Sequence, residues 1–312
     1  TRSAYGEQDP NVHYARGLVL LLLEQRSAAA LESLEQMRRM ARGASDRGRD
    51  TLYYQALMAE SGRLIQSGAA KKAIPFLQKA GRMAIQLRDR RKELAARSNA
   101  GIAWQISGGF EEARQIFDRL ATENPRNLVW PFHLGIALAS LERGEEAVAA
   151  FGRVVTPLEA DAGRGAAQPF LHEAYLRRGR LRRSLAAGAT DEATRAKRLR
   201  AAQLDFETFT RLVPRDARGP AALGALLFEV LGEPYDAVGH LEKAHALDPV
   251  CDAALAMLVQ IASTHPAPEG ESAEAWATRR AAWQKDLEAN RETRARAREA
   301  RARERLDGSD GC

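Results

Sequence analysis

The residue types that most often carry catalysis or bind metals are thinly spread along this sequence. Its six histidines are scattered and belong to no metal-binding motif. They are His13, His133, His172, His240, His245 and His265. An enzyme needs titratable groups clustered at reactive spacing, with a base beside a nucleophile. The sequence therefore predicts no catalytic residue, no metal and no cofactor.

The cysteines and the glycine-rich stretches support the same interpretation. Cys251 and Cys312 fit neither a disulfide framework nor a zinc site. No glycine loop has the spacing that cradles a phosphate. The glycines at 108–109 and 163–165 are interpreted as turns between helices. We therefore expect a non-enzymatic protein that acts by binding.

Composition favours an all-α chain and argues against nucleic acid as the partner. Ala, Leu, Arg and Glu dominate the 312 residues, whereas β-branched and aromatic residues are scarce. The net charge is +6, but only seven of the 47 basic residues are lysine. Heavy Arg and Ala usage is typical of GC-rich coding, so the positive charge is weak support for phosphate binding.

No stretch of the sequence is long and apolar enough to predict a membrane span. The most apolar run, GLVLLLL at 17–23, is interpreted as one or two buried helical turns. The sequence begins with Thr1 rather than Met. Removal of a signal peptide and trimming of the chain both explain this start. The missing Met slightly favours an exported protein, periplasmic or extracellular.

A recurring triplet organises most of the chain. Ala113, Phe117 and Leu120 follow the spacing i, i+4, i+7, which defines one face of a helix. The same small–large–apolar pattern occurs six times, each time led by alanine. The other five triplets are Ala30/Leu34/Met37, Ala73/Leu77/Ala80, Ala147/Phe151/Val154, Ala202/Phe206/Phe209 and Ala237/Leu241/Ala244.

Each triplet is preceded by a second predicted helix, and turn residues separate the two. Gly101 and Gly135 mark two of these earlier helices. The turns are predicted at Gly68, Gly108–Gly109, Gly144 and Gly232, and three units end at Pro125, Pro214 and Pro249. The chain is thus a series of helical hairpins.

This pattern resembles the tetratricopeptide repeat, which has a period of about 34 residues and a W-x2-L-G-x2-Y…A-x3-F…P signature. The resemblance covers residues 11–264, although the early aromatic residue is mostly missing. It implies an all-α, right-handed superhelical solenoid of about six helical hairpins, with a long C-terminal helix. The best copies are 94–127, 128–161 and 218–251; 11–44 and 54–87 are looser, with extra residues that lengthen helices.

The predicted organisation has five segments. Around the 11–264 solenoid lie an N-terminal extension (1–10), a linker (265–271), a helix (272–306) and a flexible tip (307–312). The fifth repeat, roughly 166–215, carries about a dozen extra residues that we expect to swell its turn and second helix. The helix 272–306 begins with Trp276, Trp283 and Leu287 on one stripe, which predicts a capping helix for the last repeat.

In this family the first helix of each repeat lines a concave groove, and five positions per repeat face it. In the copies inspected these positions carry almost no charge, so the resemblance implies an apolar or amphipathic protein segment as ligand. The alternative is a narrow groove whose residues pack against each other. The candidate groove residues are Val19, Leu22, Leu23, Met58, Ile65, Ser98, Ile102, Gln105, Ile106, Val129, Phe132 and Ile136.

The end of the chain raises a second hypothesis. Residues 290–306 are rich in arginine, with no large apolar side chain before Leu306. They form either a frayed extension or an arm that reaches another copy, which would assemble head to tail into a filament or other homo-oligomer. The candidate arm residues are Arg291, Arg294, Arg298, Arg301, Arg305 and Cys312.

A second basic cluster lies in the fifth repeat, at 177–183 and 195–200. Such a cluster is usually a solvated face, but it could also dock an acidic partner surface. Two functions remain, an interaction scaffold that binds a foreign segment and a self-assembling structural subunit.

Overall fold

The computed structural model describes residues 9–22, 26–41, 46–160 and 169–307, with side chains as far as residue 299. Regular structure in these ranges is helical: fourteen α-helices, a 3-10 segment at Pro169–His172 and a π-helical turn at Leu227–Leu231. No strand occurs among the described residues. The prediction of an all-α helical-repeat fold is confirmed.

The chain divides into two compact units, Thr1–Val154 and Val155–Cys312. The first contains α1 Pro10–Leu22, α2 Ser27–Met40, α3 Arg47–Gln66, α4 Ala70–Gln86, α5 Arg90–Ile106, α6 Phe110–Glu123 and α7 Val129–Ser140. The unit boundary falls within α8 Gly144–Ala160. The second contains α9 Glu173–Ala187, α10 Glu192–Leu212, α11 Arg218–Leu226, α12 Pro234–Leu247, α13 Asp252–Thr264 and α14 Ala273–Asp307. A single solenoid over 11–264 stays a prediction.

Within each unit, helices pack mainly on their neighbours in the chain. In the first unit α1 packs on α2, α3 on α4 and α5 on α6; in the second, α9 packs on α10 and α11 on α12. First helices of successive hairpins also touch, α1 with α3, α5 with α7 and α9 with α11. This pairing is the helical-hairpin stacking that a repeat array requires, because no single hairpin buries enough apolar surface alone.

Aspartate caps and left-handed turn residues set the helix boundaries. Asp46 and Asp89 accept hydrogen bonds from the backbone N–H groups of the third residues of α3 and α5, at 2.9 and 3.1 Å. Gly108, between α5 and α6, has φ +83°. The prediction that Gly144 forms the next turn is wrong. Glu142 adopts the positive φ, +59°, while Gly144 is already helical.

The side chains of the six triplets lie in the core. Every one of their side chains is 0 or 1 % exposed. Alanine at the first position lets the helix axes approach, and the larger residue one turn later fills the space so created. The repeat frame derived from these triplets is therefore consistent with the burial of every member.

A glycine on the first helix faces the large residue of five of the six triplets. A Cβ on Gly101 would lie 2.7 Å from the Phe117 ring, and one on Gly135 would lie 2.8 Å from the Phe151 ring. In the second hairpin the corresponding position is Ser61, which is buried and hydrogen-bonded to the Leu57 carbonyl at 2.7 Å. Three further glycines make the same close contact, namely Gly17 with Leu34, Gly179 with Phe206 and Gly224 with Leu241.

Replacing Gly135 by alanine should destabilise the protein, although the same change normally favours a helix. The added methyl would collide with the Phe151 ring, and overpacking of this kind costs roughly 1–3 kcal/mol. Gly62 on α3 is the matched control, because nothing lies within 4 Å of a Cβ built there. Gly62→Ala should raise stability by roughly 0.5–1 kcal/mol. Urea denaturation would measure the change in unfolding free energy for both variants. Changes of the same sign in the two variants would contradict the packing argument.

The extra residues of the fifth repeat enter its helices rather than its turn. The link between α9 and α10 is only residues 188–191, while α10 runs from Glu192 to Leu212. The expected swollen turn is thus wrong, and the expected longer second helix is confirmed. Because Asp191 caps Thr194 N–H at 2.7 Å, α10 starts immediately after the short link.

The sixth repeat has one extra residue between the glycine of its first helix and its triplet, and a π-helical turn accommodates it. Gly224 lies thirteen residues before Ala237, whereas Gly135 lies twelve before Ala147. The π-helical turn Leu227–Leu231 accommodates one more residue per turn than an α-helix does. The glycine and the triplet therefore keep their contact, with Gly224 against Leu241.

The first half of the long last helix buries an apolar stripe. Trp276, Trp283 and Leu287 are buried, and the two indole rings meet edge to face at 5.7 Å. Arg279 lies over both rings at about 5 Å and pairs with Glu242 and Glu271, each at 2.7 Å. The helix packs on α13.

Candidate partner-binding surfaces

Apolar side chains reach the protein surface at the predicted groove positions of α5 and α7. Ile106 is 55 % exposed, while Ile102, Val129 and Ile136 are half-buried. Ile102 and Ile106 are four residues apart and therefore share one face of α5. Helix α5 contacts α7 directly. These four residues are called the first-helix surface below.

A polar link joins the two helices beside this surface. The Gln105 side-chain amide donates to the His133 carbonyl at 2.6 Å, and its Oε1 lies 2.9 Å from His133 Nδ1. The His133 ring stacks on Phe117, with centroids 4.9 Å apart. Gln105 is thus engaged in holding α5 against α7. Ser98, also a predicted groove residue, is half-buried on α5.

Phe132 corrects the prediction that its side chain lies outside the core. It is only 7 % exposed, and its ring meets the Phe151 ring edge to face at 5.9 Å. It also contacts the His133 ring at 5.7 Å. The Phe151 ring lies against Gly135 on one side and packs against the Phe132 ring as well. Phe132 is therefore a core residue.

The predicted groove residues of α3 are likewise tied to the core. Met58 and Ile65 are half-buried, and both pack against buried clusters of the first unit. Met58 touches the cluster around Leu57 and Tyr53 as well as that around Leu77. Their contribution to an external surface is consequently smaller than that of Ile106.

Helix α1 presents a separate apolar face. Val19 is 42 % and Leu22 59 % exposed, whereas the predicted residue Leu23 lies outside the described part of the chain. Gly17, rather than Leu18, meets Leu34. The repeat frame on α1 is therefore shifted by one residue from the predicted frame.

A cavity of about 440 Å³ adjoins the first-helix surface. Ile106 and Ser107 form one side, and the start of α4 forms the other, with Lys71 and Lys72 in its first turn. No acidic residue occurs in that first turn. An apolar wall thus stands beside two lysines and the positive end of a helix.

The proposed self-association arm is partly engaged within its own chain. Arg294 donates to the Val250 carbonyl at 2.6 Å and pairs with Asp252 at 2.8 Å. Asn290 donates to the Pro249 carbonyl at 2.8 Å. Assigning Arg294 to a free arm is therefore wrong. Arg291 and Arg298 are exposed; the side chains of Arg301 and Arg305, and all of Cys312, lie outside the described residues.

The basic cluster of the fifth repeat is not a uniform solvated face, because two of its arginines point inward. Arg178 pairs with Asp205 through two guanidinium nitrogens, the shortest distance being 2.6 Å, and Arg182 pairs with the same carboxylate at 2.8 Å. Asp205 is 1 % exposed. Burial raises the pKa of the Asp205 carboxyl, although its bonds to Arg178 and Arg182 act in the opposite direction.

Two other arginines of that cluster are equivalent in sequence to predicted groove residues. Counted from Gly179, Arg180 and Arg183 correspond to Ile102 and Gln105 counted from Gly101. The near absence of charge at the predicted groove positions of the copies 11–44, 94–127 and 128–161 therefore does not extend to the fifth repeat. Aligning the repeats on Gly101 and Gly179 would have shown from the sequence that both arginines are equivalent to predicted groove residues.

No group of three or more His, Cys, Asp or Glu side chains is placed to hold a metal ion in the part of the chain that the structure describes. None of the described helices combines the length and apolar character that crossing a bilayer requires.

Solved structures with similar folds were found, whereas no protein-family model and no curated protein matches the chain. The C-terminal part of a tetratricopeptide-repeat protein from Cytophaga hutchinsonii is 16% identical, with a TM-score of 0.55, over 80% of this chain and 88% of that chain. MamA from Desulfovibrio magneticus RS-1 is 17% identical, with a TM-score of 0.49, over 67% of this chain and 98% of its own. YrrB, a tetratricopeptide-repeat protein with an unusual peptide-binding site, is 20% identical, with a TM-score of 0.46, over 64% of this chain and 89% of its own.

Because the last two TM-scores lie below 0.5, the Cytophaga structure carries the comparison. Its likeness agrees with the hairpin stacking and with the glycine that faces a large residue in five of the repeats. The chain has the fold of tetratricopeptide-repeat proteins.

Proposed function

We propose that this protein is a non-enzymatic scaffold that binds an amphipathic helix of a partner protein on the first-helix surface. The exposure of Ile106, 55 %, beside the half-buried Ile102 and Ile136 carries the proposal. An apolar stripe on successive first helices matches the i, i+3, i+4 anchors of a helix laid in a groove. Removing such side chains from water favours binding by roughly 25 cal/mol per Å² of apolar area.

The cavity beside Ile106 places positive charge next to the first-helix surface. Lys71 and Lys72 border it, so a ligand helix with acidic residues flanking its apolar face is favoured over a basic one. The Gln105–His133 link holds α5 and α7 together before a partner arrives. A surface fixed in advance loses less conformational entropy on binding.

Ile106→Asp should weaken binding of a helical peptide by about tenfold or more, because a carboxylate would replace a central apolar contact. Ile85→Asp is the matched control, since Ile85 is 61 % exposed but lies on α4, a second helix. Peptides selected from a displayed library against the full chain would serve as probes, with affinities measured by fluorescence anisotropy. Selected peptides that respond to Ile85→Asp, or equally to both variants, would refute the proposed surface.

The alternative function is head-to-tail self-association, and the α1 face favours it. Val12, Val19 and Leu22 are 45, 42 and 59 % exposed on this helix, and an exposed apolar face of this kind can bind a second copy of the chain. Light scattering of the full chain over a wide concentration range separates the two functions. A mass that stays monomeric supports the scaffold, and a mass that rises with concentration supports assembly.

A further inference from the structure

The second unit contains a cavity that the scaffold proposal does not use. Its volume is about 570 Å³, and it lies between α9, the start of α10 and the π-helical turn. Arg180 and Arg183 reach it from α9, and Arg195 reaches it from α10. Glu229 is the one acidic residue among the described residues that line it. The cavity therefore carries an excess of positive charge.

The three arginines differ in how they are paired. Arg183 donates a hydrogen bond to the Glu229 carboxylate at 2.5 Å. The acidic residue of the cavity is therefore already paired with one of the three arginines. Arg195 approaches Glu192 at 3.6 Å, and both side chains are largely exposed, so this pair is weak. The Arg180 guanidinium makes no hydrogen bond or ion pair with any residue that the structure describes. A carboxylate from outside the chain would complete its coordination.

Arg180 is exposed, and charges of both signs surround its guanidinium. Desolvation lowers the pKa of its guanidinium; the carboxylates Glu173 and Asp216 act in the opposite direction, and the cations Arg218 and Arg177 in the same direction. Arginine nevertheless stays protonated at physiological pH. Because the Arg180 side chain is exposed, a carboxylate of a ligand can reach its guanidinium directly.

The walls of the cavity are held in place by contacts between α9 and α10. Arg198 donates to the Leu185 carbonyl at 2.8 Å, and Arg182 donates to the Ala201 carbonyl at 3.1 Å. The extra residues of the fifth repeat extend these two helices and so provide the walls. The site is preorganised, which limits the entropy lost when a ligand binds.

Apolar groups line the rest of the cavity. Leu199 and Ala186 are buried, and Val230 of the π-helical turn is half-buried. A nucleic acid would need a longer basic track and aromatic side chains for stacking, and no aromatic residue lines this cavity among the described residues. The mixed lining matches a polypeptide with carboxylates next to an apolar side chain.

We infer that this cavity, called the arginine cavity, binds an acidic peptide segment of a partner protein. Carboxylates of the segment contact Arg180 and Arg195, and a neighbouring apolar side chain packs on Leu199 and Val230. The guanidinium groups suit this ligand because each offers a planar fork of donors to a carboxylate. The inference goes beyond the proposed function, because the first-helix surface belongs to the other unit.

Arg180→Glu tests the inference, with Arg200→Glu as its matched control. Arg200 lies on α10, is exposed, and does not line the cavity, so both changes alter the net charge equally. The probe is a fluorescein-labelled peptide of glutamates interspersed with leucines, titrated with the full chain in an anisotropy assay. Arg180→Glu should lower its affinity about tenfold or more, and Arg200→Glu less than about twofold. Ile106→Asp should leave this affinity unchanged.

Two further binding measurements identify the class of ligand. A peptide of glutamate and serine should bind more weakly than the leucine-containing one, and a single-stranded oligothymidine should compete poorly. Equal losses for Arg180→Glu and Arg200→Glu, or preference for the oligonucleotide, would overturn the inference. If circular dichroism shows that Arg180→Glu is misfolded, Arg180→Gln removes the charge at similar length, and unchanged affinity for that variant would overturn it as well.

Discussion

Replacing Ala147 by arginine should destabilise the protein by roughly 4–8 kcal/mol. This range combines overpacking, about 1–3 kcal/mol, with a buried charge that lacks a partner, about 3–5 kcal/mol. Ala147 is 0 % exposed and leads the triplet that contains Phe151. A loss of this size approaches the whole stability of an ordinary domain. Thermal and urea denaturation followed by circular dichroism would measure it.

The control for this change lies two residues further along the same helix. Ala149 is exposed on α8, so Ala149→Arg adds the same charge and volume on the solvent side. Its effect should stay within about 0.5 kcal/mol. Unaltered stability of Ala147→Arg would show that the repeat frame is misplaced.

Asp205→Ala should cost about 3–5 kcal/mol, because it leaves the buried guanidinium of Arg178 without its carboxylate. Arg178 is only 9 % exposed, and Arg182 shares the same acid. Glu207→Ala is the matched control, since Glu207 is exposed on the same helix. Its cost should be below about 0.5 kcal/mol. Urea denaturation of both variants provides the comparison.

A double variant separates the pair itself from the penalty of breaking it. Arg178→Met with Asp205→Leu removes both charges and keeps apolar volume, so it should lose less stability than Asp205→Ala alone. A double variant that is as unstable as the single one would indicate that the local packing, rather than the unpaired charge, accounts for the loss.

The inward and outward arginines of the fifth repeat show what a linear pattern leaves open. In the sequence, residues 177–183 read as one basic run. In the structure, Arg178 and Arg182 lie one turn apart and reach Asp205, while Arg180 and Arg183 face the arginine cavity. Asp205 is 27 positions from Arg178 along the chain, and a local pattern cannot reveal a partner at that separation.

The buried faces of the repeats were predictable because they depend on local periodicity. Spacing of three and four residues places Ala113, Phe117 and Leu120 on one side of a helix in any surroundings, and all three are buried. The capping stripe of Trp276, Trp283 and Leu287 followed from the same rule. The hairpin order and the all-α class required nothing more.

Side-chain exposure on the opposite faces depended on the neighbouring helix. Phe132 and Ile136 share a face of α7 by spacing, yet Phe132 is buried because the Phe151 ring lies within 5.9 Å of its own. The register of α1 depended on the contact of Gly17 with Leu34, and the turn before α8 on Glu142 adopting a left-handed conformation. A helical pattern specifies which residues share a side. What that side meets is settled by packing between segments that are distant in the chain.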